Sequence, residues 1–351
     1  MSEAKVEDII DPRGRQQRGR LCLAPRVTLA ELKKRRILFY NNTKLEFCNY
    51  SEIFPAIKKH MEKLGIREFV DYRETVRGRS TEDLRRTARE LAKGKFSAAV
   101  VALADMGTSP ATTVLAIEME KAGIPTVLIS APPGADLAEQ VAFYRAGRLC
   151  LCPIDIFQAS SKEAVAAEIN KQMDCVIESL ILPRNRLSKR AIIKPRMDEL
   201  PCSADGFLSL GARAGSAKRK KVPGQFMEEV LDLFDSLHLG DGLPIIPPTQ
   251  SRIAKMMKYC PFSPTEVLIA EPGPAGRDIL VKDIVINAVL AGCKPEYVPI
   301  LITAFRAMGN PKYNFLQSVT TSHPGGNLIL VSGPLVQELN IHGGQGCLGP
   351  G

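Results

Sequence analysis

The chain has 351 residues, of which 45% are apolar and 24% are charged. This composition is typical of globular proteins, and the length is enough for two domains that each bury a core. No apolar run approaches the roughly 20 residues that span a bilayer, and the N-terminus lacks the apolar core of a secretory signal. We therefore predict a soluble, cytoplasmic protein without a membrane partner.

The net charge of +9 and the nine cysteines exclude few further classes of protein. Much of the charge lies in Arg13–Arg20, Lys33–Arg36 and Lys218–Lys221. No aromatic residues alternate with these basic ones, so solvated segments are favoured over a nucleic-acid site. The cysteines are scattered and odd in number, which disfavours a disulfide framework. Cys150 and Cys152 would share one face of a strand and are expected to be small core residues.

The first half of the chain alternates between short apolar runs and amphipathic stretches. After an N-terminal tail over residues 1–35, strands are predicted at 36–40, 67–72, 96–103, 124–130 and 148–152, with helices between them and a long closing helix at 161–180. The run at 96–103 is nearly all apolar, as a central parallel strand should be. The fold class predicted for residues 36–182 is therefore an α/β, doubly wound, parallel five-stranded sheet.

The second half begins after a predicted linker at 183–224, where prolines, glycines and lysines break the pattern. Residues 225–351 are expected to form an α+β domain. Its predicted helices lie at 226–240, near 250, at 280–291 and at 295–308, and its predicted strands at 267–271, 316–321 and 327–333. The chain stops in the glycine-rich GGQGCLGPG, so a C-terminally truncated version of a longer protein is expected.

The loop after the predicted central strand is the first candidate site, since ligands of open α/β sheets bind beyond the carboxyl ends of strands. It contains Asp105, Met106, Gly107, Thr108 and Ser109. Ser109 is expected to cap the following helix, and Gly107 lets the backbone approach a ligand. The amides at a helix start favour an anion. The alternative is that Asp105 only braces the turn and Ser109 only caps.

The segment ADMGTSPATTVLAIEMEKAGIPTVLI resembles the core of the UGSC family of selenoproteins and their cysteine homologues. In that family a selenocysteine or cysteine followed by Gly-Ser-Cys lies between an apolar strand and a helix. Asn41-Asn42-Thr43-Lys44 is similar to the family's Asn-Thr-Lys, which adds Asn42 and Lys44 as ligand-binding candidates. The resemblance implies redox chemistry or cleavage of a carbon–heteroatom bond, and a relation to the selenoprotein subunits of amino-acid reductases.

The family's redox motif is degenerate in this chain. Met106 stands at the selenocysteine position, Thr108 at the serine and Ser109 at the second cysteine. Neither a thioether nor a hydroxyl forms a thiolate at neutral pH, so the loop cannot run a selenol–thiol cycle. Binding is the function that the loop is expected to keep.

The second half supplies the catalytic candidates. GDGLPIIPPT, AGCKPEY and GGQGCLGPG resemble the downstream domain of the same extended family. Cysteine, lysine, glutamate, histidine and hydroxyl groups on glycine-rich loops are typical of acid–base and nucleophilic chemistry. The catalytic candidates are Cys293, Lys294, Glu296, His323 and Cys347, and the added ligand-binding candidates are Asp241, Thr321 and Ser322.

Each of these residues has a structural alternative. Asp241 is also a natural turn former, Cys293 a small buried residue and His323 an exposed loop histidine. A lysine next to Cys293 and near helix ends is expected to lower the pKa of its thiol. Paired metal-ligand spacing is missing, so no metal and no cofactor are predicted.

Two functional hypotheses follow. The first is an oxidoreductase-like or lyase-like enzyme that acts on a small anionic or sulfur-containing molecule with the second-half residues. The alternative is a non-catalytic, degenerate homologue that binds a small molecule. In both, the partner is a small molecule rather than a nucleic acid, and homo-oligomer formation is left open.

Overall fold

A computed structural model describes residues 9–12, 19–20, 22–132, 134–146, 148–157, 159–183, 207–208, 226–273, 276–321 and 325–343. Its strands are β1 (Ile9–Ile10), β2 (Ile37–Asn41), β3 (Phe69–Arg73), β4 (Ala98–Ala104), β5 (Thr126–Ser130), β6 (Cys150–Pro153), β7 (Phe207–Leu208), β8 (Val267–Ile269) and β9 (Ile279–Leu280). Its helices are α1 (Leu29–Leu32), α2 (Ile53–Lys63), α3 (Thr81–Ala92), α4 (Ser109–Lys121), α5 (Gly134–Ala146), α6 (Lys162–Ile181), α7 (Phe226–Ser236), α8 (Gln250–Met257), α9 (Val281–Leu290), α10 (Val298–Met308), α11 (Phe315–Thr320) and α12 (Pro334–Glu338).

Five parallel strands form one sheet in the order β3-β2-β4-β5-β6. Every residue of β4 is buried, because helices cover both faces of the central strand. Helices α2 and α6 pack on one face, and α3, α4 and α5 pack on the other. The predicted doubly wound sheet with a central strand near 96–103 is therefore confirmed.

Local sequence signals explain how these elements begin and where the thiols of β6 lie. Ser80 and Asp83 form the capping box that starts α3, with the Ser80 side chain accepting from the Asp83 N–H. Cys150 and Cys152 are both buried on one face of β6, as the alternation predicts.

The N-terminal segment differs from the predicted tail, which ends at residue 35. Leu23 and Leu32 are buried against the sheet. Arg26 forms a buried ion pair with Glu120 of α4, with 2.5 Å between Nη2 and Oε1. The prediction missed this packing because residues 1–30 carry no helical or strand period, although irregular chain also buries apolar side chains when its polar groups find partners.

The second half of the chain is mainly helical. A two-stranded antiparallel hairpin, β8 with β9, accompanies helices α7 to α12. The predicted strand at 316–321 is wrong: residues 315–320 form α11, with Leu316 buried. Short runs rich in valine and threonine do not separate helix from strand by period alone. The predicted strand at 327–333 is also absent from the described residues, because that segment has no hydrogen-bonded neighbour strand there.

The predicted linker and domain boundaries remain a prediction. Within residues 183–224, β7 pairs antiparallel with β1, and Ile9 also bridges to Thr249. The two halves are in contact elsewhere too, since Leu316 packs in the core around α3, α4 and α5. Within the described residues, no helix combines the length and apolarity that crossing a membrane requires.

Candidate functional site

The sheet order fixes where a site can form. The chain runs outward from β2 to β3 and then returns to the other side of β2 with β4. Adjacent strands whose connections leave in opposite directions open a crevice at their carboxyl ends. The segments that follow β2 and β4 hold Asn42 and Lys44 on one side and Asp105 to Ser109 on the other, so both predicted groups meet at this crevice.

Asn42 joins the two strand ends. Its amide nitrogen donates to the Leu103 carbonyl at 2.9 Å and to the Thr112 hydroxyl at 2.7 Å. Its amide oxygen accepts from the N–H groups of Leu103 and Lys44 at 2.9 and 3.1 Å. All the donor and acceptor capacity of a buried amide is thereby used within the chain. Asn42 therefore acts as a positioning residue, whereas the sequence suggested a ligand contact.

The start of α4 differs from the predicted cap. Met106–Thr108 form a 3-10 turn that runs directly into the helix, so Thr108 is the N-cap and Ser109 is already helical. The Thr108 hydroxyl donates to the Asp105 carbonyl at 3.2 Å. The Ser109 hydroxyl is fully buried and has no hydrogen-bond partner among the described residues. The prediction that Ser109 caps the helix is therefore wrong.

Gly134, at the start of α5, sets how closely this loop packs. A Cβ atom there would lie 2.4 Å from the Ser109 Oγ, 2.6 Å from the Asp105 Cα and 2.7 Å from the Ala104 carbonyl oxygen. Only a residue without a side chain fits against backbone at such distances. The buried side of the loop is thus fixed by α5, and its other side faces outward with Met106, which is 46% exposed.

A cleft of about 180 Å³ opens on that outward side. We call it the cationic cleft, and it is lined by Lys44, Arg77, Met106, Gly107, Thr108, Gln317 and Thr321. Five of these residues were predicted from sequence, including Thr321 from the second half of the chain. Thr321 thus brings the second half of the chain to the loop after β4.

The charges in the cleft are unequal. The Lys44 Nζ lies 3.4 Å from the Asp105 Oδ2, so this cation has a carboxylate beside it. Arg77 has no acidic partner within the described residues, and its guanidinium lies 6.0 Å from the centre of the Phe47 ring. The Lys44 Nζ lies 5.4 Å from the same ring. Two cations and one carboxylate leave one positive charge for a ligand to neutralise.

The predicted catalytic cysteine lies in a different cavity. Cys293 lines a space of about 580 Å³, which we call the apolar cavity. Its walls include Ala288, Leu301, Phe305 and Phe315. Burial raises the pKa of the Cys293 thiol. The expected lowering of this pKa by Lys294 is therefore wrong, because desolvation disfavours the thiolate.

The neighbours of Cys293 diverge from it. Lys294 is exposed, with its Nζ 5.9 Å from the centre of the Tyr297 ring. The carboxylate of Glu296 accepts a hydrogen bond from Tyr259 and thereby raises the pKa of that phenol. Neither Lys294 nor Glu296 lines the cationic cleft or the apolar cavity.

Asp241 fits the turn-forming alternative. It is exposed, and its Oδ1 accepts from the Leu243 N–H at 3.1 Å, while Gly242 has a φ of 87°. This side chain closes a turn on the surface.

Ser322, His323 and Cys347 lie outside the described residues, so their roles remain predictions. Within the parts of the chain that are described, no group of three or more histidine, cysteine or acidic side chains is placed to hold a metal ion.

Arg77 and Gln317 are the cleft residues that sequence reasoning missed. Arg77 lies shortly after β3, so the rule that found the loop after β4 would also have found it. Gln317 lies on α11, which reaches the cleft only because Leu316 packs in the core of the first half. No periodicity signals such a contact between distant parts of a chain.

Residues 8–147 match the model of the UGSC family. This match confirms the UGSC-like resemblance for the segment that contains β2 to α5 and the loop after β4. The resemblance of residues 226–351 to a downstream domain lies outside the matched range and remains a prediction. No curated protein and no solved structure matches the chain.

Proposed function

We propose that this chain, whose residues 8–147 are UGSC-like, binds a small anionic molecule in the cationic cleft. The observation that carries the proposal is the position of Lys44 and Arg77 at the crevice between β2 and β4, with one positive charge left unpaired. Arg77 offers a planar, permanently charged donor group that suits carboxylate and phosphate oxygens.

The backbone supports the same ligand chemistry. Gly107 and Thr108 lie in the turn that runs into the N-terminus of α4, where the helix dipole favours negative charge. A volume of about 180 Å³ suits a small group rather than a macromolecule. Cationic side chains and a helix start therefore converge on one small space.

Binding without covalent chemistry fits the cleft better than catalysis does. Met106, Gly107 and Thr108 carry no group that ionises near neutral pH, and Asp105 is largely buried beside Lys44. Cys293, the nucleophile expected from sequence, lines the apolar cavity and has a raised pKa. We therefore favour the second functional hypothesis, a UGSC-like binding protein without a selenol–thiol pair.

Isothermal titration calorimetry with acetate and with inorganic phosphate tests the proposal. We expect saturable binding of at least one of the two anions to the whole chain. Arg77→Gln should weaken it about tenfold or more, because a hydrogen bond to a charged group is lost. Lys44→Gln should weaken it as well, since it also leaves Asp105 without its cation.

Lys93→Gln is the matched control. Lys93 is the C-cap residue of α3, its side chain is 71% exposed, and its ion-pair partner is Glu90. The Lys93→Gln substitution removes one positive charge outside the cleft. Anion affinity should therefore stay within about twofold of that of the unmodified protein at 0.15 M salt, where distant charges are screened. Equal losses of anion affinity in the Arg77 and Lys93 variants would mean that affinity depends only on net charge, and the cleft would be rejected as the site.

A further inference from the structure

The cationic cleft and the apolar cavity each share wall residues with a third space. A cavity of about 290 Å³ lies along α11 and the residues that follow it. It shares Thr321 with the cationic cleft, and it shares Phe305, Phe315 and Val319 with the apolar cavity. Within the short stretch 315–321, Phe315 and Val319 line the apolar cavity, whereas Gln317 and Thr321 line the cationic cleft. The third space borders Phe315, Val319 and Thr321, and so touches residues of both sets.

The polar groups in the wall of the apolar cavity already have partners. Arg277 forms an ion pair with Asp283, and the Asn287 amide donates to the Asp283 carbonyl at 2.8 Å. Asp278 also lies in this wall, where its Oδ1 accepts from the Glu271 N–H at 2.9 Å. With one cation that is already paired and two carboxylates, the wall does not attract an anion, and its apolar side chains favour a hydrocarbon group. A volume of about 580 Å³ lies within the usual range for small-molecule sites.

We infer that the ligand of the cationic cleft is an amphipathic anion, a carboxylate with a hydrocarbon chain. Its carboxylate lies between Lys44 and Arg77, and its chain passes Thr321 to reach Phe315 and Val319. This inference rests on the proposed function and names the ligand class. It uses the single unpaired positive charge of the cleft, which one carboxylate neutralises.

A homologous series of straight-chain carboxylates tests the inference. Acetate, butyrate, hexanoate and octanoate are titrated into the whole chain by calorimetry, below their micelle-forming concentrations. Each methylene that becomes buried should raise the affinity about fourfold, so octanoate should bind far more tightly than acetate. The slope of log affinity against chain length measures contact with apolar wall.

Two kinds of variant separate the head of the ligand from its tail. Arg77→Gln should weaken every member of the series by a similar factor and leave the slope unchanged. Val319→Ser removes apolar surface at a 52% exposed position, so it should reduce the slope and leave acetate unaffected. Ala291→Phe, at another exposed position in the cavity wall, should shorten the chain length at which affinity stops rising.

Cys293 reports directly on occupancy of the apolar cavity. We expect saturating octanoate, but not acetate, to slow alkylation of Cys293 by N-ethylmaleimide, measured by peptide mass spectrometry. Cys48 is exposed and lines none of the three spaces, so its alkylation rate should not change and serves as the internal control.

The outcomes distinguish the inference from the function on which it rests. If acetate and octanoate bind equally, and both depend on Arg77, the anion site stands and the amphipathic ligand is rejected. If octanoate protects Cys293 but its affinity is unchanged in the Arg77→Gln variant, the apolar cavity binds octanoate independently of the cationic cleft. The inference is then again rejected. If no carboxylate or phosphate binds in an Arg77-dependent way, the proposed function itself fails.

Discussion

The loop after β4 and the junction around Cys293 were both expected to carry function, but their residues are arranged differently in the structure. Met106, Gly107 and Thr108 line one cleft together with residues from the segments after β2 and β3 and from the end of α11. Cys293, Lys294 and Glu296 are neighbours in sequence, yet of the three only Cys293 lines one of the spaces described above. Position at the end of a parallel strand was therefore a better guide to which residues share a cleft than proximity along the chain was.

The difference has a geometric origin. The carboxyl ends of parallel strands bring distant segments to one edge of the sheet, so polar residues after different strands face each other. A turn between two helices instead sends successive side chains in different directions, because each one falls on a different side of the backbone. If this comparison is right, the elements that fix the loop after β4 should be far less tolerant of change than the Cys293 junction.

The largest effect is expected where α4, the helix that follows the loop, is anchored. Arg26→Met leaves Glu120 buried without its cation, although the Ala24 and Thr126 N–H groups still donate to that carboxylate. Breaking a buried ion pair from one side costs about 3–5 kcal/mol. We expect a loss of that size in the free energy of unfolding, measured by urea denaturation.

A second substitution controls for this result. Adding Glu120→Gln to Arg26→Met removes the buried charge and should recover part of the lost stability. A single variant as stable as the unmodified protein would mean that α4 is held by apolar packing alone. The comparison would then lose its main support.

Asn42→Ala should have the next largest effect. It removes four hydrogen bonds that join the end of β2 to Leu103, Lys44 and Thr112. Leaving several buried groups without partners should cost about 3 kcal/mol, and anion binding should weaken because Lys44 loses its fixed position. Urea denaturation and calorimetry measure the two effects.

Asn49→Ala is the matched control for Asn42. Asn49 is half-buried, and its side chain donates one hydrogen bond, to the Ser160 carbonyl at 2.6 Å. Its loss should cost about 1 kcal/mol and leave anion affinity unchanged. Equal costs at both positions would contradict a special role for Asn42.

Gly134→Ala tests the packing beneath the loop. The added Cβ would meet backbone atoms of Ala104 and Asp105 at under 3 Å, so the loop after β4 must shift. Overpacking of this kind costs about 1–3 kcal/mol, and the shift should also weaken anion binding. Gly273→Ala is the control, because a Cβ there would meet nothing within 4 Å. Thermal unfolding of the two variants decides whether the loop tolerates displacement.

The smallest effect is expected at Cys293. Burial holds its pKa above the ordinary thiol value of 9.0, so little thiolate exists at pH 8. Iodoacetamide should alkylate Cys293 at least about tenfold more slowly than the exposed Cys48, and the two rates should converge in urea. Any stability that the neutral thiol provides is present below its unfolded pKa and is lost as pH rises through the folded one. Faster alkylation of Cys293 would restore it as a candidate nucleophile.

Much of the fold could be predicted because its elements are periodic. The all-apolar run at 96–103 and the capped helix after Ser80 contain their own signals. The packing of Leu23 and Arg26 could not be predicted, since it depends on partners about 100 residues away and on no local period. The segment 316–321 was misassigned because six residues are too few for helix and strand periods to differ.

The site could be predicted in part for the same reason. The rule of strand ends located the residues from Met106 to Thr108, and the family resemblance pointed to the same loop and to Lys44. The roles of Asn42 and Ser109 required the structure, because hydrogen bonding and burial decide whether a polar side chain faces a ligand or the protein interior. The pKa of Cys293 likewise depends on its surroundings rather than on the lysine beside it in sequence.

The burial of Leu316 among α3, α4 and α5 bears on how this architecture can be inherited. The segment that matches the UGSC family ends at residue 147, but one wall of its cleft comes from Gln317 and Thr321. A gene fusion that carried residues 8–147 into another protein would transmit Lys44, Arg77 and the loop after β4, but not that wall. The complete cleft therefore depends on both halves of the chain, and a duplicated first half alone would lack the wall that Gln317 and Thr321 form.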